Sequence, residues 1–182
     1  MAIMNVNPTR MQLSKLKKQL VTAVRGHKML KDKRDELMRQ FLDLVKETRE
    51  LRDKVERELN ECNSHFVNAS AVMSKQALDA SLMSPKQQIN IEISAKNVMS
   101  VEIPQFDTSN RTNDEGDIFP YGFAFTSFEL DDAIMSFNDV LPDMIKLAQY
   151  EKSCELMSAE IEKTRRRVNS LEHVMIPRYQ ET

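Results

Sequence analysis

Basic side chains offer the clearest chemistry in this sequence. Residues 10–34 carry nine Lys/Arg and a single acidic residue, Asp32. Arg165, Arg166 and Arg167 form a second basic cluster near the C-terminus. Such density suits attachment to an acidic surface. That surface could be nucleic acid, although the run has no aromatic stacking platform. It could equally be a large, complementary protein assembly, and a solvated helix end is the plainest reading. Catalysis has less to build on. There is no glycine-rich phosphate loop, no paired-cysteine metal motif and no HExxH. His27, His65 and His173 lie far apart. Cys62 and Cys154 do not make a disulfide framework and are expected to be buried free thiols. The acidic runs Asp114–Glu115 and Asp131–Asp132 read as solvated surface. No cofactor, no metal and no enzyme activity is expected.

The elements that hold the basic residues are legible from spacing. Between Pro8 and Pro85 apolar residues recur at alternating intervals of three and four. With Leu13 as position a, the a series is Leu13, Leu20, His27, Arg34, Phe41, Thr48, Val55 and Cys62. The d series is Leu16, Ala23, Leu30, Leu37, Leu44, Leu51, Glu58 and His65. Eleven of these sixteen are apolar, which marks a coiled-coil seam. A helix of fifty residues spans about 75 Å, so the chain is expected to be a rod. Thr9 should cap the helix. Its end is expected near Leu82, ahead of Ser84-Pro85, because a residue before proline avoids the α region. Gly26 sits inside it and costs about 1 kcal/mol relative to alanine.

The period changes to two over residues 88–105. Ile89, Ile91 and Ile93 alternate with polar residues, as do Met99, Val101 and Ile103. This indicates two strands. Placing both apolar sets on one face pairs Ile93 with Met99, Ile91 with Val101 and Ile89 with Ile103. A lone hairpin is marginal in water, so its apolar face must pack on something. Residues 106–127 read as loop. Four of the eleven aromatics, Phe119, Tyr121, Phe123 and Phe125, fall in its eight residues Ile118–Phe125. They either pack back on the helices or form an anchor for a partner.

A second helix is expected from Ser127–Asp131 to near the C-terminus. Its seam reads Val140, Leu147, Cys154, Ile161, Val168 and Met175, with Tyr150, Met157, Thr164, Leu171 and Arg178 between them. Pro142 should kink or break it, and Pro177 should bend its last turns. The fold class is therefore mainly α. It is a long antiparallel two-helix coiled coil of N- and C-terminal helices, with a small central β-hairpin and loop. The parts are 1–84, 85–127 and 128–182, together one structural domain.

Charge supports the fold-back. Residues 90–160 carry four basic and fourteen acidic side chains, whereas residues 161–182 carry five against three. Folding back gathers basic segments at one tip and acidic ones at the other end. The net charge of only −2 argues against bulk attraction to nucleic acid or membrane. With no apolar span and no signal peptide, a soluble, intracellular protein is expected.

The opening Asn7-Pro8-Thr9-Arg10, followed by Leu13, Leu16, Lys17 and Leu20, resembles the D subunit of V-type and archaeal A-type ATPases. So does Gly26–Phe41, GHKMLKDKRDELMRQF. Asn90–Val101 (NIEISAKNVMSV) and Ile103-Pro104 are similar to the central hairpin of that family. The resemblance covers essentially the whole chain and is strongest to the bacterial V-type, some of it sodium-pumping. It implies a non-catalytic central rotor shaft at the cytoplasmic face of a membrane. The shaft would carry torque between a hexamer of A and B subunits and the ion-carrying ring. It implies that Arg10, Lys15, Lys17, Lys18, Arg25, Arg165, Arg166 and Arg167 meet the hexamer. Ile89, Ile91, Ile93, Met99, Val101 and Ile103 would bind the F subunit of the central stalk. Phe119, Tyr121, Phe123 and Phe125 would reach the socket subunit on the ring. Members of the family continue the second helix past the position of Thr182, so engagement at the top of the shaft is expected to be looser here. A static coiled-coil tether is the alternative.

Overall fold

The computed structural model describes residues 6–112, 115–122 and 126–182. Its elements are helix α1 (Arg10–Val72), helix α2 (Lys75–Leu82), strands β1 (Ile89–Val98) and β2 (Val101–Asn110), and a 3-10 turn (Glu115–Ile118). Helix α3 (Phe128–Ser170), a π turn (Leu171–Met175) and helix α4 (Ile176–Glu181) complete it. The chain is mainly helical, as its patterning requires.

Thr9 caps α1 as expected. Its Oγ1 accepts from the Gln12 N–H at 3.3 Å, and its carbonyl accepts from Leu13 N–H. The helix does not reach Leu82. It stops at Val72, and Ser74 turns extended (φ −69°, ψ 146°) with its Oγ accepting from Ala77 N–H. A serine that can bond a nearby amide competes with helix continuation, and here it starts α2. Pro142 neither ends nor splits α3, which runs unbroken through it. Pro177 instead sits in the first turn of α4, behind the π turn. There Ile176 N–H bonds back to Leu171 O.

The chain divides into two compact units. The first comprises Met1–Leu44, Val98–Val101 and Cys154–Thr182. Among the described residues its buried side chains are Leu37, Val101, Met157, Ile161, Thr164 and Val168. The last four follow steps of four, three and four, the seam read from sequence. His27 Nε2 lies 3.3 Å from Glu172 Oε2, and Lys33 Nζ 3.4 Å from Glu160 Oε1. Position rises along α1 as it falls along the C-terminal segment, so the helices here are antiparallel.

The second unit comprises Val45–Asn97 and Glu102–Ser153. Val55, Cys62 and Val140 form its core cluster, with Leu51, Leu59 and Leu147 packed against them. Ion pairs Arg52–Glu151 and Lys54–Asp143 again run antiparallel. The expected register slips here. Leu51, Val55 and Leu59 are spaced four and four, so Leu59 packs against the cluster in place of Glu58. Beyond it Phe66 is half-buried while His65 is exposed. Consecutive four-residue steps are a stutter, which follows the natural 3.6-residue turn and unwinds the supercoil locally. His65 is therefore not a seam residue.

The hairpin register also differs from expectation. Met99 and Ser100 both have positive φ, 51° and 71°, and form a two-residue turn. Positive φ at both central positions suits a tight hairpin, because such a turn matches the right-handed twist of the strands it joins. It makes Val98 face Val101, and Arg111 N–H bonds Gln88 O at 2.9 Å at the far end. Ile93 thus pairs with Phe106, and Ile103 with Lys96. Putting both apolar sets on one face requires a loop at Ser94–Val98, but β1 runs on through those residues and Met99 belongs to the turn.

Candidate partner-binding surfaces

The basic residues form a stripe, not a single tip. Arg10, Lys15, Lys17, Lys18 and Arg25 are exposed along the first turns of α1. Arg165–Arg167 are exposed on α3, bracketed by Glu160 and Glu172, which pair with Lys33 and His27. They therefore lie alongside Lys28 and Lys31 and not alongside Arg10–Lys18. The distance from residue 10 to residue 28 along the helix is roughly 27 Å at the usual rise. Arg166 is engaged by Glu162. No acidic residue occurs from 10 to 31, so the α1 part of the stripe is uniformly positive, whereas Glu162 and Glu172 stand within its C-terminal part.

Along α1 from Met11 to Gly26, Leu171, Met175 and Tyr179 line an open apolar groove with Met11, Ala23 and Gly26. Sequence reasoning missed this groove. Its signal was Met11, an apolar residue outside the seam that stands 83% exposed. A Cβ added at Gly26 would meet nothing within 4 Å among the described residues, so no packing contact there requires that glycine.

The six hairpin residues do not share a face. Ile91 (48% exposed) and Ile93 (72%) stand open on β1, with Ile89 half-buried. Val101 is buried and Ile103 half-buried on the other face, and Met99 is half-buried in the turn. The backbone N–H of Phe106 on β2 donates to Gln149 Oε1 on α3 at 3.1 Å.

Of the aromatic segment, Phe123 and Phe125 lie outside the described residues. Phe119 and Tyr121 are half-buried, with ring centroids 6.2 Å apart. The Tyr121 hydroxyl donates to Asp131 Oδ1 at 2.6 Å. Burial, then that bond to a carboxylate, pushes the phenol well above its usual range. The packed-back reading therefore holds for Ile118–Tyr121. Ile118 and Pro120 line a groove with Ile134, Phe137 and Met144 of α3.

No cluster of three or more His, Cys, Asp or Glu side chains suited to a metal occurs among the described residues. Burial pushes the Cys62 thiol upward, which disfavours the nucleophilic thiolate. The surface features the described residues present are a basic stripe, an exposed strand and open apolar grooves.

Comparison with known proteins gives one family. The model of the ATP synthase D subunit family matches residues 12–182. The D subunit of a V-type ATP synthase from Acetivibrio thermocellus is 59% identical over 182 residues, covering 100% of this chain and 82% of the relative. The same subunit from Clostridioides difficile is 53% identical over 182 residues, with coverage of 100% and 82%. That from Clostridium botulinum strain Alaska E43 is 54% identical over 183 residues, covering 100% of this chain and 86% of the relative.

Proposed function

The chain belongs to the ATP synthase D subunit family, and from that premise we propose that it is the central rotor shaft of a rotary V-type ATPase. It works without catalytic groups of its own. ATP is hydrolysed or made on the A subunits of an alternating A/B hexamer, and the shaft links that hexamer to the ion-carrying ring. The F subunit of the central stalk and the socket subunit on the ring are its other partners. It sits peripherally on the membrane-bound complex. No helix among the described residues is long and apolar enough to cross a membrane.

The observation that carries this reading is the antiparallel pairing of two long helices within each unit, beside a predominantly basic stripe. Paired helices resist twist better than one, so torque applied to them reaches their other end. Each hexamer interface meets a different side of an asymmetric shaft. Shaft angle and nucleotide state are then coupled, and the coupling is reciprocal. Arg10, Lys15, Lys17, Lys18, Arg25 and Arg165–Arg167 supply a long-range, weakly directional attraction to the bore. Such attraction holds a rotor without locking it at one angle.

The test replaces Arg165, Arg166 and Arg167 with glutamine and measures affinity for the A/B hexamer. The expected result is a loss of about tenfold at low salt that shrinks as salt screens the stripe. Affinity unchanged at every ionic strength removes this cluster from the interface.

A further inference from the structure

We propose that the outer edge of β1, from Ile89 to Ala95, accepts an extended strand of a partner protein as a third strand of the sheet. The proposal rests on the reading of the hairpin as the contact for the F subunit and specifies how that contact is made.

The register determines which backbone groups are available. In an antiparallel pair, alternate residues exchange both hydrogen bonds with their opposites while those between aim outward. The bond from Arg111 N–H to Gln88 O places that pair in the bonded set. Residues 90, 92 and 94 therefore bond inward to β2. Ile89, Ile91, Ile93 and Ala95 aim their N–H and C=O groups away from it. On β2 the outward set is 102, 104, 106, 108 and 110. The Phe106 N–H, which reaches Gln149 on α3, confirms this parity.

The two edges are treated differently. The β2 edge is closed by α3 at Phe106 and blunted by Pro104, which has no N–H to offer. Natural sheets protect free edges with such devices. Among the described residues no third strand pairs with β1. Every residue from Asn90 to Asn97 is exposed. The edge carries no proline. By alternation, its charged residues Glu92 and Lys96 stand on the face opposite Ile91 and Ile93. A run of outward amides beside two exposed isoleucines is what strand addition uses: main-chain bonds give affinity, and alternate side chains give selectivity. The hairpin has acidic Glu92, Glu102 and Asp107 against Lys96. The fitting occupant is therefore an extended protein segment with apolar residues over Ile91 and Ile93 and a basic residue near Glu92.

Ile91→Pro tests this in the full chain. Its N–H points outward, so proline there removes no β1–β2 bond. Circular dichroism and melting temperature should match the unsubstituted chain. Titration with the purified F subunit should show affinity reduced about tenfold or more, through lost edge bonds and obstruction. Thr108→Pro, the matched change on the β2 outer edge, should stay within about twofold. In the unsubstituted complex, amide exchange at Ile89, Ile91, Ile93 and Ala95 should slow on binding. Unchanged affinity of Ile91→Pro together with unprotected β1 amides overturns the proposal. A chain with residues 89–110 replaced by a Gly-Ser linker separates the two levels. If that chain loses affinity while Ile91→Pro does not, strand addition fails and the hairpin contact stands. If neither loses affinity, both fail.

Discussion

Thr164 lies fully buried in the seam of α3, and its Oγ1 has no hydrogen-bond partner among the described residues. A hydroxyl stranded this way costs about 1–3 kcal/mol. Thr164→Val keeps the branched shape and removes the orphan, so urea unfolding should show a gain of about 1 kcal/mol. A loss would mean that the hydroxyl is bonded in solution. Glu36 makes a second residue-scale case. Hydrogen bonds first from Arg39 and then from Gln40 hold its carboxyl at about 2, below the usual 4.5. The folded-state value is depressed, so the ionised form favours the fold above about pH 4.5. That contribution fades as pH falls from about 4.5 towards about 2. The carboxyl resonance of Glu36 should titrate near 2, and in Arg39→Ala its midpoint should move up towards 4.5. A midpoint already near 4.5 in the unsubstituted chain would show that the Arg39 bond does not persist. Such details were invisible in the sequence. Spacing marks Thr164 as a seam position but does not say whether its hydroxyl finds a partner.

Periodicity made much of the architecture readable at the scale of elements, because a seam repeats over many turns and tolerates single exceptions. Leu37, Met157, Ile161 and Val168 were placed by spacing and are buried. The failures were local. Ser74 ended α1 through one side-chain bond. Leu59 displaced Glu58 where two four-residue steps adjoined. Met99-Ser100 formed a turn that lacks the usual Asn-Gly signal. Apolar alternation then set Ile93 opposite Met99, where the true register sets it opposite Phe106. Of the candidate surfaces, the basic run was legible as composition, but its spread into a stripe required the helix pairing. Leu37 tests the seam most cleanly, since it is fully buried. Leu37→Ala should cost about 2–5 kcal/mol in chemical denaturation. A cost within about 0.5 kcal/mol, the range of ordinary surface changes, would mean that the first unit does not pack around it.

At the scale of the whole molecule, the function proposed is mechanical. Torque transmission requires that one chain meet the hexamer with its basic stripe and the ring-side proteins with its central segment, while turning as a unit. A static tether would need the same surfaces but no coupling between angle and chemistry. The direct measurement attaches a bead to an introduced cysteine on the hairpin of this chain. The labelled chain is assembled with the F subunit in an immobilised A/B hexamer and observed with ATP. Unidirectional stepping at a rate that follows ATP hydrolysis is the expected result. A bead that stays fixed, or only fluctuates, while the same complexes hydrolyse ATP would contradict the rotor assignment.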